Sequence, residues 1–335
     1  MSYNNATVLV TGADGFIGSH LVERLVAEGA KVTALALYNA FDGNGWLDDL
    51  EPETRETVTI ARGDVRDGAF MMRLCENQDL IFHLAALIAI PHSYAAAQSY
   101  VETNVTGMVN LLEAARHHRP KRVVVTSTSE VYGTARTLPI GEGHALQGQS
   151  PYSASKIGAD MMAQAYALSF DLPVAVLRPF NTYGPRQSER AVTASTIRQA
   201  LDPDCAEIKV GDLTPTRDFT FVTDTADAFA AIGVARDINY GEPYNAGSGR
   251  NVSIGEVVDE IRALTGTDKP VAVEEARLRP DKSEVRALLA DSSRLNEATG
   301  WQAKTSLTDG LTQTVAWWRA RLQRGKVRVG HDFVA

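Results

Sequence analysis

Two short segments carry most of the chemistry: Thr126-Ser127-Thr128-Ser129-Glu130-Val131-Tyr132-Gly133 and, downstream, Tyr152-Ser153-Ala154-Ser155-Lys156. Together they offer a hydroxyl, a carboxylate, a phenol and an ammonium. Tyr152 and Lys156 stand four residues apart, so on a helix they share one face, where an ammonium favours the phenolate. A phenolate prepared this way can accept an alcohol proton while hydride leaves the same carbon for a nicotinamide. Simple oxidation needs no further acid-base group, so the carboxylate of Glu130 points to a second step at a neighbouring carbon.

These groups need elements to bring them together. Ser150-Pro151 reads as an N-cap followed by a first-turn proline, which starts a helix at Tyr152. Upstream, short β-rich runs alternate with amphipathic helical stretches, the pattern of a parallel sheet covered on both faces. Strands are expected at 7–10, 31–37, 58–61, 80–84, 122–126 and 174–177. From Asn181 onward the strands shorten, and helices recur near 222–234, 254–264 and 307–321.

The expected fold is α/β, a Rossmann-type doubly wound parallel sheet with a smaller C-terminal α/β substrate lobe. Residues 1–180 form the NAD(P)-binding domain and 181–330 mainly the substrate lobe, with about 218–248 returning to the first domain. No flexible linker separates the two.

The first β-rich run leads into Gly12-Ala13-Asp14-Gly15-Phe16-Ile17-Gly18, followed by a helical stretch. Glycines at such a turn let the backbone approach a pyrophosphate, whose charge is stabilised by amides at the helix N-terminus. An NAD site ordinarily ends its second strand with an acid that holds the ribose 2′-hydroxyl. Here Ala36, Leu37, Tyr38 and Asn39 occupy that region, with neither carboxylate nor arginine. NAD is the expected cofactor because no cation awaits a 2′-phosphate; NADP stays open.

With 335 residues and 44% hydrophobic content, the chain can fill a full core. Cys75 and Cys205 form neither a disulfide framework nor a metal-ligand spacing, and suit a reducing compartment. The apolar run at 80–91 is broken by His83 and is too short to span a bilayer. The start, Met1-Ser2-Tyr3-Asn4-Asn5, lacks a secretion signal. The expectation is a cytoplasmic protein with no membrane partner and no resident metal. A formal charge of -8 disfavours general nucleic-acid binding.

The spacing Gly12-x-x-Gly15-x-x-Gly18 resembles that of the extended short-chain dehydrogenase/reductase family. So do Gly63-Asp64-Val65 and His83-Leu84-Ala85-Ala86. The resemblance implies that Gly12, Gly15, Phe16, Ile17, Gly18, Asn39, Asp64, Val65, Leu84, Ala85 and Ala86 line the cofactor with Tyr152 and Lys156, Asp64 lying by the adenine. It implies that Thr128 is the hydroxyl partner of Tyr152.

Epimerases of the family resemble Ser-Ser-Ala-Ala-Val-Tyr-Gly where this chain has Ser129 and Glu130. The form here is similar to the Thr-Ser-Glu of nucleotide-sugar 4,6-dehydratases such as the GDP-mannose dehydratases. Once C4 is a ketone the C5 proton is acidic, and Glu130 is assigned to remove it while water leaves C6. The leaving hydroxyl must take its proton from Glu130, a water, or a relay through Ser129, since a serine hydroxyl is not a strong acid.

Asn181, Arg186, Arg217 and Arg279 match, in the family, groups that approach or grip a sugar diphosphate, for which guanidinium suits. Ser93 and Tyr94 are placed beside the hexose, and His92 is not assigned to catalysis. Leu87-Ile88-Ala89-Ile90-Pro91, the run from Gly148 through Lys156 to Asp160, and Asn181-Thr182-Tyr183-Gly184-Pro185-Arg186-Gln187-Ser188 resemble the 4,6-dehydratases of the legionaminic acid pathway. That implies a nucleotide-linked N-acetylglucosamine as substrate.

Rival readings are an NDP-sugar 4-epimerase, a 5,6-dehydratase and, outside enzymes, an NAD(P)-sensing binding protein. Relatives pair through two long helices, matched here by residues 100–117 and 152–170, so a homodimer is expected.

Overall fold

The structure, a computed structural model, describes residues 1–327. Residues 328–330 of the expected second lobe lie outside the described residues. The strands from the first half are β1 (Thr7–Thr11), β2 (Lys31–Leu37), β3 (Thr59–Gly63), β4 (Leu80–His83), β5 (Arg122–Thr126) and β6 (Val174–Pro179). After them come β7 (Asn181–Tyr183), β8 (Ile208–Val210), β9 (Thr216–Phe221), β10 (Pro243–Ala246), β11 (Asn251–Ser253) and β12 (Val271–Val273).

A seven-stranded sheet runs β10-β6-β5-β4-β1-β2-β3, all parallel. This is the expected doubly wound Rossmann-type sheet. Its central strands are apolar on both faces, as strands covered from both sides must be. Alternation along β1 sends Val8 and Val10 to one core and Leu9 to the other. Helices Phe16–Ala27 and Val222–Val234 cover the first face. Gly107–His118 and Pro151–Phe170 cover the second.

The strands expected from the sequence are present to within a few residues, β2 and β5 with unchanged bounds. One was not among them: β10 joins the β6 edge from far downstream, with Tyr244 and Ala246 in the core. Its four residues are too short for a periodic signal.

The smaller lobe holds the sheet β11-β9-β7, the pair β12-β8, and helices Val192–Leu201, Ile254–Thr265 and Leu307–Gln323. They enclose a core that includes Tyr183, Ile197, Phe221, Ile261 and Trp318. Among the described residues no helix is long and apolar enough to cross a membrane. No group of side chains among them has the makings of a metal site.

In the large sheet, strand order reverses between β1 and β4, which opens a crevice at their C-terminal ends where ligands of such sheets bind. The glycine turn follows β1, and Leu84 to Ala86 follow β4.

Candidate active site

The glycine turn is pressed against the loop after β4. Gly12 has φ +66, and a Cβ there would lie 2.6 Å from the Ala85 nitrogen. A Cβ on Gly18 would lie 2.1 Å from the Gly12 oxygen. Gly15 is the N-cap of Phe16–Ala27 and supplies no side-chain cap, so amides of the first turn, including those of Phe16 and Ile17, are left for an anion. The Phe16 and Ile17 side chains pack against core clusters instead.

The β4 end is held by Thr11, whose carbonyl accepts from Leu84 N at 3.1 Å and whose hydroxyl accepts from Ala85 N at 3.2 Å. Thr11 Oγ1 also lies 2.8 Å from Nδ1 of buried His83. Burial pushes that imidazole down to about 3, helped by the charge of Lys156, so His83 is neutral at ordinary pH. Val65 is buried and packs against Gly107. The carboxylate of Asp64 is taken up by Arg66 at 2.6 Å. Asn39 uses its side chain on its own loop, donating to Leu37 O and Gly43 O and accepting from Phe41 N. Asn39 was expected at the cofactor; in this structure its side chain serves the loop after β2.

Ser150 and Ser153 form a capping box around Pro151, and the helix begins there as its sequence requires. Tyr152 is buried against Ile90, Tyr100 and Leu87. Burial raises its phenol pKa; the Thr128 hydroxyl acts in the opposite direction, and Glu130, Tyr100 and Asp160 raise it further. Thr128 caps the turn Ser129–Tyr132, its Oγ1 accepting from Glu130 N at 3.2 Å.

The Lys156 ammonium donates to the Thr126 carbonyl at the end of β5. Burial brings Lys156 down to about 8, against the opposing charge of Asp160.

Glu130 turns inward. Its side chain is 12% exposed and its Oε1 lies 3.9 Å from Arg279 Nη1. Its charge acts on both Tyr152 and Arg217. Ser129 beside it is buried.

Next to this centre lies a cavity of about 500 Å³, lined by Tyr94, Asn181, Arg190, Arg217, Arg279 and Glu284, among others. Arg217 Nη2 donates to Glu284 Oε1 at 2.9 Å. The buried Oδ1 of Asn181 has no hydrogen-bond partner among the described residues, a vacancy that a ligand donor would fill. Tyr94 is held by Ser283 through a 2.6 Å hydroxyl contact.

Two expected substrate residues, Ser93 and Arg186, do not line this cavity. Ser93 is fully buried and donates to Ile90 O at 2.7 Å, because it sits on the inward face of the short helix Ile90–Ala95. Arg186 forms a bidentate pair with Glu23, at 2.9 and 2.7 Å, and so ties the lobe crossing to helix Phe16–Ala27. It does not line the cavity.

Several contributors escaped the sequence reading. Asn104, in the π-helical stretch Val101–Thr106, exchanges hydrogen bonds with Leu87 and donates to Ser155, joining the β4 loop to the tyrosine helix. Asp160 accepts from Ser127 and from two nitrogens of Arg178, locking the strand end before Thr128 onto that same helix. Asp160 lies one turn beyond Lys156, and that spacing was the available signal.

The sequence profile of the GDP-mannose 4,6 dehydratase family matches residues 9–314. The chain belongs to this family. A UDP-glucose 4-epimerase of Mycolicibacterium smegmatis is 34% identical over 94% of this chain and 99% of its own length. A dTDP-glucose 4,6-dehydratase of Streptomyces griseus is 35% identical over 93% of each. Among solved structures, UDP-glucose 4-epimerase of Thermotoga maritima with UDP-glucose superposes with a TM-score of 0.84, at 28% identity, over 94% of this chain and 99% of that one. The dTDP-glucose 4,6-dehydratase of Bacillus anthracis in complex with NAD gives 0.82 at 28% identity, over 95% and 98%. The family thus joins epimerases and dehydratases of nucleotide sugars, and the glycine turn at the β1/β4 crevice has the close backbone approach and free amides that a dinucleotide pyrophosphate needs.

Proposed function

We propose that this protein is a nucleotide-sugar 4,6-dehydratase that converts an NDP-hexose into the NDP-4-keto-6-deoxy sugar. The observation that carries the reading is the inward carboxylate of Glu130, set beside the Thr128–Tyr152 pair and at the edge of the arginine-lined cavity. Bound nicotinamide supplies a hydride acceptor at C4 and the same hydride for C6, so no net oxidant is needed.

The chain's residues do the rest. Tyr152 takes the C4 hydroxyl proton, with Thr128 stabilising the phenolate. Glu130 removes the C5 proton and, now a carboxylic acid, can hand it to the departing C6 hydroxyl; as hydride returns to C6, C5 takes up one proton, balanced by the one Tyr152 accepted from the C4 hydroxyl. That avoids asking the Ser129 hydroxyl to act as the acid. Asn181, Arg217 and Arg279 hold the diphosphate, and Tyr94 borders the hexose.

NAD is the proposed cofactor, supported by the lack of arginine at 36–39 and by a relative solved with NAD. An N-acetylglucosamine head is supported by the segments that resemble the legionaminic acid pathway enzymes; none of the relatives described above is named for that pathway. A homodimer is supported by apolar residues left exposed along the paired helices, Val101, Met161 and Leu168. Sedimentation at equilibrium reads it directly.

The second reading is a 4-epimerase, favoured by the UDP-glucose 4-epimerases among the most similar proteins. Incubation with UDP-, GDP-, CDP- and dTDP-hexoses, with and without a 2-acetamido group, separates the two by mass. Dehydration loses one water, whereas epimerisation changes no mass. Retained hydride at C6 excludes 5,6-dehydration, and firm cofactor binding without turnover would leave a sensor.

A further inference from the structure

Asp14 stands inside the glycine turn, between Gly12 and Gly15, yet its carboxylate reaches across to the second strand. Oδ2 accepts a 3.0 Å hydrogen bond from the backbone nitrogen of Leu37, the last residue of β2. That tip is where a dinucleotide fold ordinarily sets the acid for the adenosine ribose. Leu37, Tyr38 and Asn39 provide none.

The loop after β2 fixes Asp14 in place. Its carbonyl accepts from Trp46 N at 3.0 Å. Gly45, at φ +57, comes so near that a Cβ there would lie 2.5 Å from the same oxygen. The carboxylate is half-buried; burial raises its pKa, and the Leu37 amide opposes this. On β3, the residue registered opposite Ala36 is Arg62. Its guanidinium is already engaged, donating to Asn44 Oδ1 at 2.8 Å and paired with Asp42.

We propose that Asp14 supplies, from the glycine turn, the acceptor that the β2 tip lacks: it holds the adenosine ribose 2′-hydroxyl and sets the preference for NAD over NADP. The inference rests on the dinucleotide-site reading above. An ionised carboxylate only accepts hydrogen bonds, so it welcomes a hydroxyl and repels a 2′-phosphate. Selectivity of this kind comes as much from the repulsion as from the attraction.

The test is equilibrium binding of NAD, NADP and 2′-deoxy-NAD to the full-length protein freed of bound nucleotide, with thermal unfolding as a check on folding. Wild type is expected to prefer NAD over NADP, and to bind 2′-deoxy-NAD about tenfold or more weakly than NAD. Asp14→Asn and Asp14→Ser should each narrow the NAD-to-NADP ratio by about tenfold or more. An unchanged ratio in a folded variant overturns the proposal, as does equal loss of both nucleotides. If neither variant folds, equal binding of NAD and 2′-deoxy-NAD by wild type overturns it alone. Wild type that binds no dinucleotide at all would instead sink the underlying site reading and this proposal with it.

Discussion

Glu130 Oε1 lies 3.9 Å from Arg279 Nη1. The same nitrogen lies 3.8 Å from Glu284 Oε1, so one guanidinium faces two carboxylates at the border between the chemical centre and the cavity. This arrangement keeps Glu130 turned to the site, and it makes the carboxylate's role open to direct test.

Glu130→Gln keeps the shape and removes the base. Product formation, followed by mass spectrometry, should fall about 10² to 10⁴-fold. Slow reduction of the nicotinamide, followed by absorbance, should persist because Thr128 and Tyr152 are untouched. Undiminished water loss would refute the assignment of Glu130.

The arginines should separate into two classes. Arg217→Ala and Arg279→Ala each remove a guanidinium from the cavity wall, and KM for the nucleotide sugar should rise roughly tenfold to a hundredfold, as for loss of a charge-assisted hydrogen bond. Arg186→Ala breaks the bidentate pair with Glu23, so KM should stay within about twofold while stability falls by about 1–3 kcal/mol, the guanidinium being only 13% exposed. Steady-state kinetics and denaturant unfolding read the two effects.

Lys156 predicts a pH signature. Its folded pKa of about 8 lies below the ordinary 10.5, so in that window the unfolded chain binds more protons than the native one. Stability contributed by this site therefore rises with pH from about 8 to 10.5, the burial penalty being full below it. Lys156→Met should lack that rise, so the difference between wild-type and variant stabilities should climb across the window. A difference that is flat across the window would contradict the burial of a charged ammonium.

Gly18→Ala tests the turn. The new Cβ would meet the Gly12 carbonyl at 2.1 Å, a backbone contact that cannot give way cheaply. Dinucleotide binding, measured by calorimetry, should weaken by at least about tenfold, with a loss of stability of about 1–3 kcal/mol from overpacking. Gly143→Ala, with open space around it, should change neither.

The alternating strands and helices of the first half were legible because β2, β5 and the tyrosine helix carry strong local signals: β-branched runs and a serine-proline start. Gly12, Gly15 and Gly18 were legible because close backbone approach demands glycine. The Arg186–Glu23 pair was not legible because a sequence shows that a guanidinium exists, not which carboxylate it will meet, and Glu23 lies on a helix far upstream. The burial of Ser93 was not legible for a related reason, since a short helix gives no periodicity to tell its inner face from its outer one. Asn104 and Asp160 act through contacts made only when separate elements pack, so neither announced itself beside Tyr152 and Lys156.

The sheet's last strand has a consequence for dissection. Because β10 arrives only after the chain has passed through the smaller lobe, a fragment ending near residue 180 would lack both β10 and helix Val222–Val234. Its β6 border would present bare amides and carbonyls to any passing chain, and Phe82 and Val124 would lose their cover. Such an excised half should clump rather than bind a dinucleotide by itself.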